Sequence, residues 1–170
     1  MTNTKNLWAP WRMEHVLGRT EKVAGCLFEP PGNSPCDPEF LLLYRDPLTV
    51  ILLNRFPYAN GHLLIAPRRH VGDITDLSQQ ENQAIMTMLQ QSCTILRHHL
   101  QPDGFNIGLN VGTIAGAGIA DHLHFHIVPR WQGDHNFMTV TGDIRTIPEH
   151  ISRTFELLVP DFKQLLPGDK

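Results

Sequence analysis

The chain has 170 residues, 41% of them hydrophobic and 18% charged, with a formal net charge of −3. That length suits one globular domain with a real core. The slight negative charge argues against a general DNA or RNA binder, though not against a small nucleotide held by local contacts.

Three cysteines, Cys26, Cys36 and Cys93, are too few and too irregular for a disulfide framework, so a reducing compartment is expected. The opening MTNTKNLWAPWRM has no apolar h-region and is not expected to be a signal peptide. No stretch approaches the ~20 apolar residues of a membrane span, so neither a membrane nor a location outside the cytoplasm is expected.

In chain order, Trp8, Trp11 and Met13 suggest an N-terminal arm, about 1–20, packed on the body or on a partner. Residues 29–38 (EPPGNSPCDP) form a loop. Phe40–Tyr44 and Thr49–Leu53 read as strands joined by the turn Arg45-Asp46-Pro47. His62–Ala66 reads as a third, and such short links predict antiparallel pairing. Ser78 and Glu81 spell a capping box, followed by an amphipathic helix over about 79–100 with Ile85, Met88, Leu89, Ile95 and Leu96 on one face. A strand over Phe105–Val111 leads into a glycine-rich loop. A last helix is expected from near Pro148 to about Val159, ending before Pro160, within a C-terminal extension of about 146–170. The order predicts a single α+β domain over 1–170, with the long helix on one face of an antiparallel sheet.

Between the glycine loop and the last helix lies Asp121-His122-Leu123-His124-Phe125-His126-Ile127-Val128-Pro129. A strand alternates its side chains, so His122, His124 and His126 would share one face and Leu123, Phe125 and Ile127 the other. Pro129 is expected to close that strand. Three imidazoles on a face allow a structural role, a zinc site or covalent catalysis by a ring nitrogen; spacing alone does not choose. The loop just before them carries Gly108, Gly112, Gly116 and Gly118. Glycines let backbone N–H groups approach an anion, so the loop reads as a phosphate cradle beside the histidines.

The 122–128 run resembles the signature of the histidine triad (HIT) family. Leu53-Asn54-Arg55, Pro57 and Gly61-His62 resemble a second family block. Residues 104–108, 129–131, 133–134 and 136–138, with the opening Trp8-Ala9-Pro10-Trp11-Arg12-Met13, are similar to the branch that splits diadenosine tetraphosphate. The likeness spans most of residues 8–138.

The resemblance implies a HIT-like fold, with a five-stranded antiparallel sheet carrying the site, and usually a homodimer. It implies nucleotidyl transfer from a dinucleoside polyphosphate or nucleoside phosphoramidate through a nucleotidyl-histidine on His124, then release by water or inorganic phosphate. His126 would contact phosphate oxygens and assist the leaving group, and His122 would orient its neighbours. Asn54 would bind the ribose, Asn110 and the backbone of Gly116 and Gly118 the phosphate, and Leu52 the base, with His62 near the site. No cofactor is implied for catalysis. Many relatives hold a structural zinc with an early Cys-x-x-Cys. Here Glu29 replaces the second cysteine, leaving Cys26, Glu29, His70 and His122 as candidate ligands. The alternatives are a metal-dependent hydrolase with zinc on the three histidines, or a non-catalytic nucleotide binder.

Overall fold

The computed structural model describes residues 25–134 and 149–166. The tryptophan arm, Asn136-Phe137-Met138 and Pro148 lie outside them.

Five strands form one antiparallel sheet: β1 (Leu42–Arg45), β2 (Thr49–Leu53), β3 (Leu63–Pro67), β4 (Gly104–Leu109) and β5 (Phe125–Arg130). Their order is β1-β2-β3-β5-β4, so the histidine strand lies between β3 and the edge strand β4. Helix α1 (Gln79–Leu100) and helix α2 (Ile151–Gln164) complete the α+β fold. Among the described residues no helix is long and apolar enough to cross a membrane.

β1, β2 and β3 are buried at every position, as their unbroken apolar runs require when both faces are covered. One face carries Leu43, Ile51, Leu53, Ile65 and Ile127 against Ile85, Leu89 and Leu96 of α1 and Phe155, Leu158 and Phe162 of α2. The other face carries Leu42, Val50, Leu52, Leu64 and Ala66 under Phe28 and its neighbours. Burial of two such layers supplies most of the driving force for the fold.

α1 begins as expected. Ser78 accepts from the Glu81 amide, and the Glu81 carboxylate accepts from the Ser78 amide. Arg69 grips the same carboxylate at 2.9 Å and, with those bonds, pulls its pKa down to about 2.

Two expectations about proline are corrected. Pro129 does not close β5, which runs to Arg130. Pairing with β3 stops at Ile127, so Pro129 lies where β5 has a neighbour on one side only and a missing N–H is tolerated. Pro160 does not end α2, which continues to Gln164. The carbonyl it orphans, on Glu156, is on the exposed side, while Phe155, Leu158 and Phe162 stay buried on either side of it. The histidine strand is also shorter than its alternation suggests. It starts at Phe125, and His122 and His124 precede it in irregular backbone.

Candidate active site

Cross-strand register assembles the floor of the site. Leu42, Leu52, Leu64, His126 and Gly108 face one another in turn across all five strands. Directly opposite residues share a face, so His126 lies on the Leu52 and Leu64 side, away from α1. Next to it on β4 is Gly108, where an added Cβ would meet nothing within 4 Å. The sheet beside His126 is therefore bare.

The approach to the histidines is anchored tightly. Leu123 N–H donates to the Val71 carbonyl at 2.7 Å. Gly72 packs so near Ala120 that a Cβ there would lie 3.0 Å from the Ala120 carbonyl oxygen. Phe28 lies against both His122 and His124, with ring centroids 5.0 and 4.9 Å away.

Each ring has a defined proton. His122 Nε2 lies 2.9 Å from the Pro67 carbonyl, which can only accept, so Nε2 carries the hydrogen. Its Nδ1 faces the Cys26 sulfur at 3.1 Å. His124 donates from Nδ1 to the His122 carbonyl at 2.9 Å, which leaves the lone pair on Nε2. His62 Nδ1 accepts the Tyr58 amide at 3.1 Å, so its own proton is on Nε2. That proton is donated to His126 Nδ1 at 3.0 Å, and neutral His126 keeps its hydrogen on Nε2. The two rings thus present opposite faces of imidazole chemistry: His124 a nucleophilic nitrogen, His126 an N–H donor. Burial pushes the His124 and His122 pKa values below the ordinary 6.5, against the opposing pull of their carbonyl partners. Burial thus favours the neutral form of both rings.

The other expected residues are distributed around this row. Asn54 Oδ1 accepts the Phe56 amide at 3.0 Å, and its Nδ2 lies 3.3 Å from His62 Nδ1. Leu52 is core, but core of the histidine face. Asn110 donates to the Gly116 carbonyl at 3.3 Å and so closes the glycine loop on itself. Gly112 and Gly116 take φ of +81° and +93°, a backbone that favours glycine. Gly118 follows in the same loop. Phe28, Tyr58 and the bareness of Gly108 had no sequence signal of their own.

Of the four candidate metal ligands, Cys26, His70 and His122 offer ligand atoms within 4.8 Å of one another. Glu29 joins only through His70, whose Nδ1 lies 3.2 Å from its carboxylate. The set fits zinc: His122 points Nδ1 at the thiol while its Nε2–H is anchored on a carbonyl, the usual outer partner of a ligating imidazole. Burial raises the Cys26 thiol pKa.

The HIT domain family profile matches residues 38–133. The chain is 36% identical over 164 residues to the AP-4-A phosphorylase of Mycobacterium tuberculosis, covering 93% of this chain and 84% of that protein. It is 27% identical over 127 residues to the bis(5'-adenosyl)-triphosphatase of Dictyostelium discoideum, covering 71% and 83%. Among solved structures, a zinc-bound histidine triad family protein from Mycobacterium smegmatis superposes with a TM-score of 0.59 at 28% identity, covering 74% of this chain and 85% of that one.

Proposed function

The chain belongs to the HIT family, and we propose on that footing that it cleaves dinucleoside polyphosphates at the α-phosphate by nucleotidyl transfer to His124. The observation that carries this reading is the lone pair on His124 Nε2, fixed by the Nδ1–H donation to the His122 carbonyl. Nε2 attacks the α-phosphorus, the P–O bond to the leaving phosphate chain breaks, and its electron pair departs on the bridging oxygen. Water or inorganic phosphate then displaces the histidine and releases the nucleotide. His126 offers Nε2–H to a phosphoryl oxygen, and His122 orients His124 through its backbone.

By position, Asn54 takes the ribose, Asn110 with the amides of Gly116 and Gly118 the phosphates, and Leu52 the base side of the cleft. Nucleoside phosphoramidates fit the same chemistry. The proposal includes a single domain over 1–170, a homodimer, a cytoplasmic location, and a structural zinc on Cys26, His70 and His122. Zinc on all three histidines has no such support: among the described residues only His122 of the three belongs to the ligand cluster.

Mixing the protein with diadenosine tetraphosphate and analysing the quenched sample by mass spectrometry tests the mechanism. A nucleotidyl adduct on the peptide bearing His124 is expected after an alkaline denaturing quench, which spares the acid-labile P–N bond; turnover with no adduct at any time under that quench speaks for direct attack. Formation of ADP only when phosphate is supplied identifies a phosphorylase.

A further inference from the structure

The turn that carries His62 is tied to a helix outside the family-matched region. Thr154 of α2 is fully buried, and its hydroxyl lies 2.8 Å from Asn60 Oδ1 and 3.0 Å from Glu149 Oε2. Asn60 Nδ2 donates to the same Glu149 oxygen at 3.2 Å. Asn60 thus has both ends of its amide held by the C-terminal segment. Its neighbour Gly61 sits so close to α1 that an added Cβ would clash with the Leu100 side chain unless that chain shifted, and its φ of +72° favours glycine in any case. A cavity of about 20 Å³, room for one water, is lined by Asn54, Asn60, Glu149 and Ile151.

What this tie holds is the hydrogen-bonding of His62. The Tyr58 amide reaches His62 Nδ1 only because the 58–62 turn folds back, with His62 N–H on the Ala59 carbonyl and the Asn54 amide on the His62 carbonyl. That amide, the shorter of two N–H contacts to Nδ1 beside Asn54 Nδ2 at 3.3 Å, favours the proton on His62 Nε2, and His62 in turn directs the tautomer of His126. Nothing in the family-matched residues anchors the Asn60 side chain among the bonds described; its partners, Glu149 and Thr154, lie beyond residue 133.

We propose that Thr154 and Glu149, acting through Asn60, are positioning residues that keep His62 in its Nε2–H form and so make His126 a neutral N–H donor in the site. The inference rests on the proposed nucleotidyl transfer for its kinetic consequence, but its structural half is measured independently.

The test uses the full-length protein labelled with 15N, observed through long-range ring 1H–15N correlations near pH 8, above the ordinary imidazole pKa of ~6.5. The unmodified protein should show Nε2–H signatures for both His62 and His126. Thr154→Val removes only the hydroxyl. It should shift His62 toward a tautomer mixture and lower kcat for diadenosine tetraphosphate about tenfold, with KM within about twofold. Thr154→Ser should restore both readouts, and Asn60→Ala should reproduce the defect. A folded Thr154→Val protein with unchanged ring signals overturns the positioning role, whatever its activity. Inactivity of the unmodified protein strikes the proposed function instead, because the ring signals are read without turnover.

Discussion

His124 donates its Nδ1–H to the carbonyl oxygen of His122, two residues back, at 2.9 Å. A carbonyl cannot donate, so this bond leaves the lone pair of the neutral ring on Nε2. The same residue, His122, directs its own Nδ1 to Cys26 and its Nε2–H to Pro67. His122 is thus a junction between the candidate zinc ligands and the proposed nucleophile, acting on the latter through its backbone.

Replacing His124 with Ala should lower turnover of diadenosine tetraphosphate at least about a thousandfold, because the attacking atom itself is lost. Nucleotide affinity, measured by calorimetry with a non-hydrolysable analogue, should change by no more than a few-fold. Residual turnover within about tenfold of the unmodified protein removes His124 as nucleophile.

Gly108 faces His126 across the strand pair, with open space where its side chain would be. Gly108→Val should fill that space and raise KM or lower kcat by about tenfold or more, while Tm holds or rises, since valine suits a strand better than glycine. Normal kinetics in this variant would mean that no substrate group passes over β4.

Much of this arrangement was legible in the sequence, for identifiable reasons. The capping box at Ser78 and Glu81 is a local signal and set the start of α1 correctly. Continuous apolar runs marked β1, β2 and β3. The histidine alternation correctly assigned His126 and Ile127 to opposite faces, although the strand itself begins only at Phe125. Local rules failed where tertiary packing compensates: Pro160 is carried inside α2 by Phe155 and Phe162, and Pro129 inside β5 by its one-sided pairing. Contacts such as His62 with His126, 64 residues apart, or Phe28 with His124, have no local signature at all. Asn54 and His62 entered as candidates through family resemblance, and Tyr58, which contributes a backbone amide, was out of reach of any side-chain reading.

The ligand cluster of Cys26, His70 and His122 should take up one equivalent of zinc, measured by elemental analysis after dialysis, and Cys26→Ser should lose it. Binding to the folded form alone raises Tm, so strong chelator should lower it. Turnover at a temperature well below that Tm should survive the chelator. Activity that disappears with the metal and returns on adding zinc alone would revive the metal-dependent hydrolase.

Burial sets the pH response of His124. Its folded-state pKa lies below the ordinary 6.5, with desolvation outweighing the hydrogen bond to His122. Above 6.5 the ring is neutral both folded and unfolded. As pH falls below that value the unfolded chain binds the proton first, so stability is present above the unfolded pKa and is lost as pH falls through the folded one. The reactive lone pair follows the folded pKa alone. Single-turnover nucleotidyl transfer should therefore stay level from about pH 8 to the ordinary imidazole value of ~6.5 and decline only below it. His126→Gln removes the Nε2–H offered to the phosphate and should lower the plateau without moving the acid limb, which belongs to His124. An acid limb centred above about 6.5 would contradict the buried, neutral nucleophile. A bell with an alkaline limb that vanishes in His126→Gln would show His126 to be a charged acid in the substrate complex and not the neutral donor its bond with His62 describes.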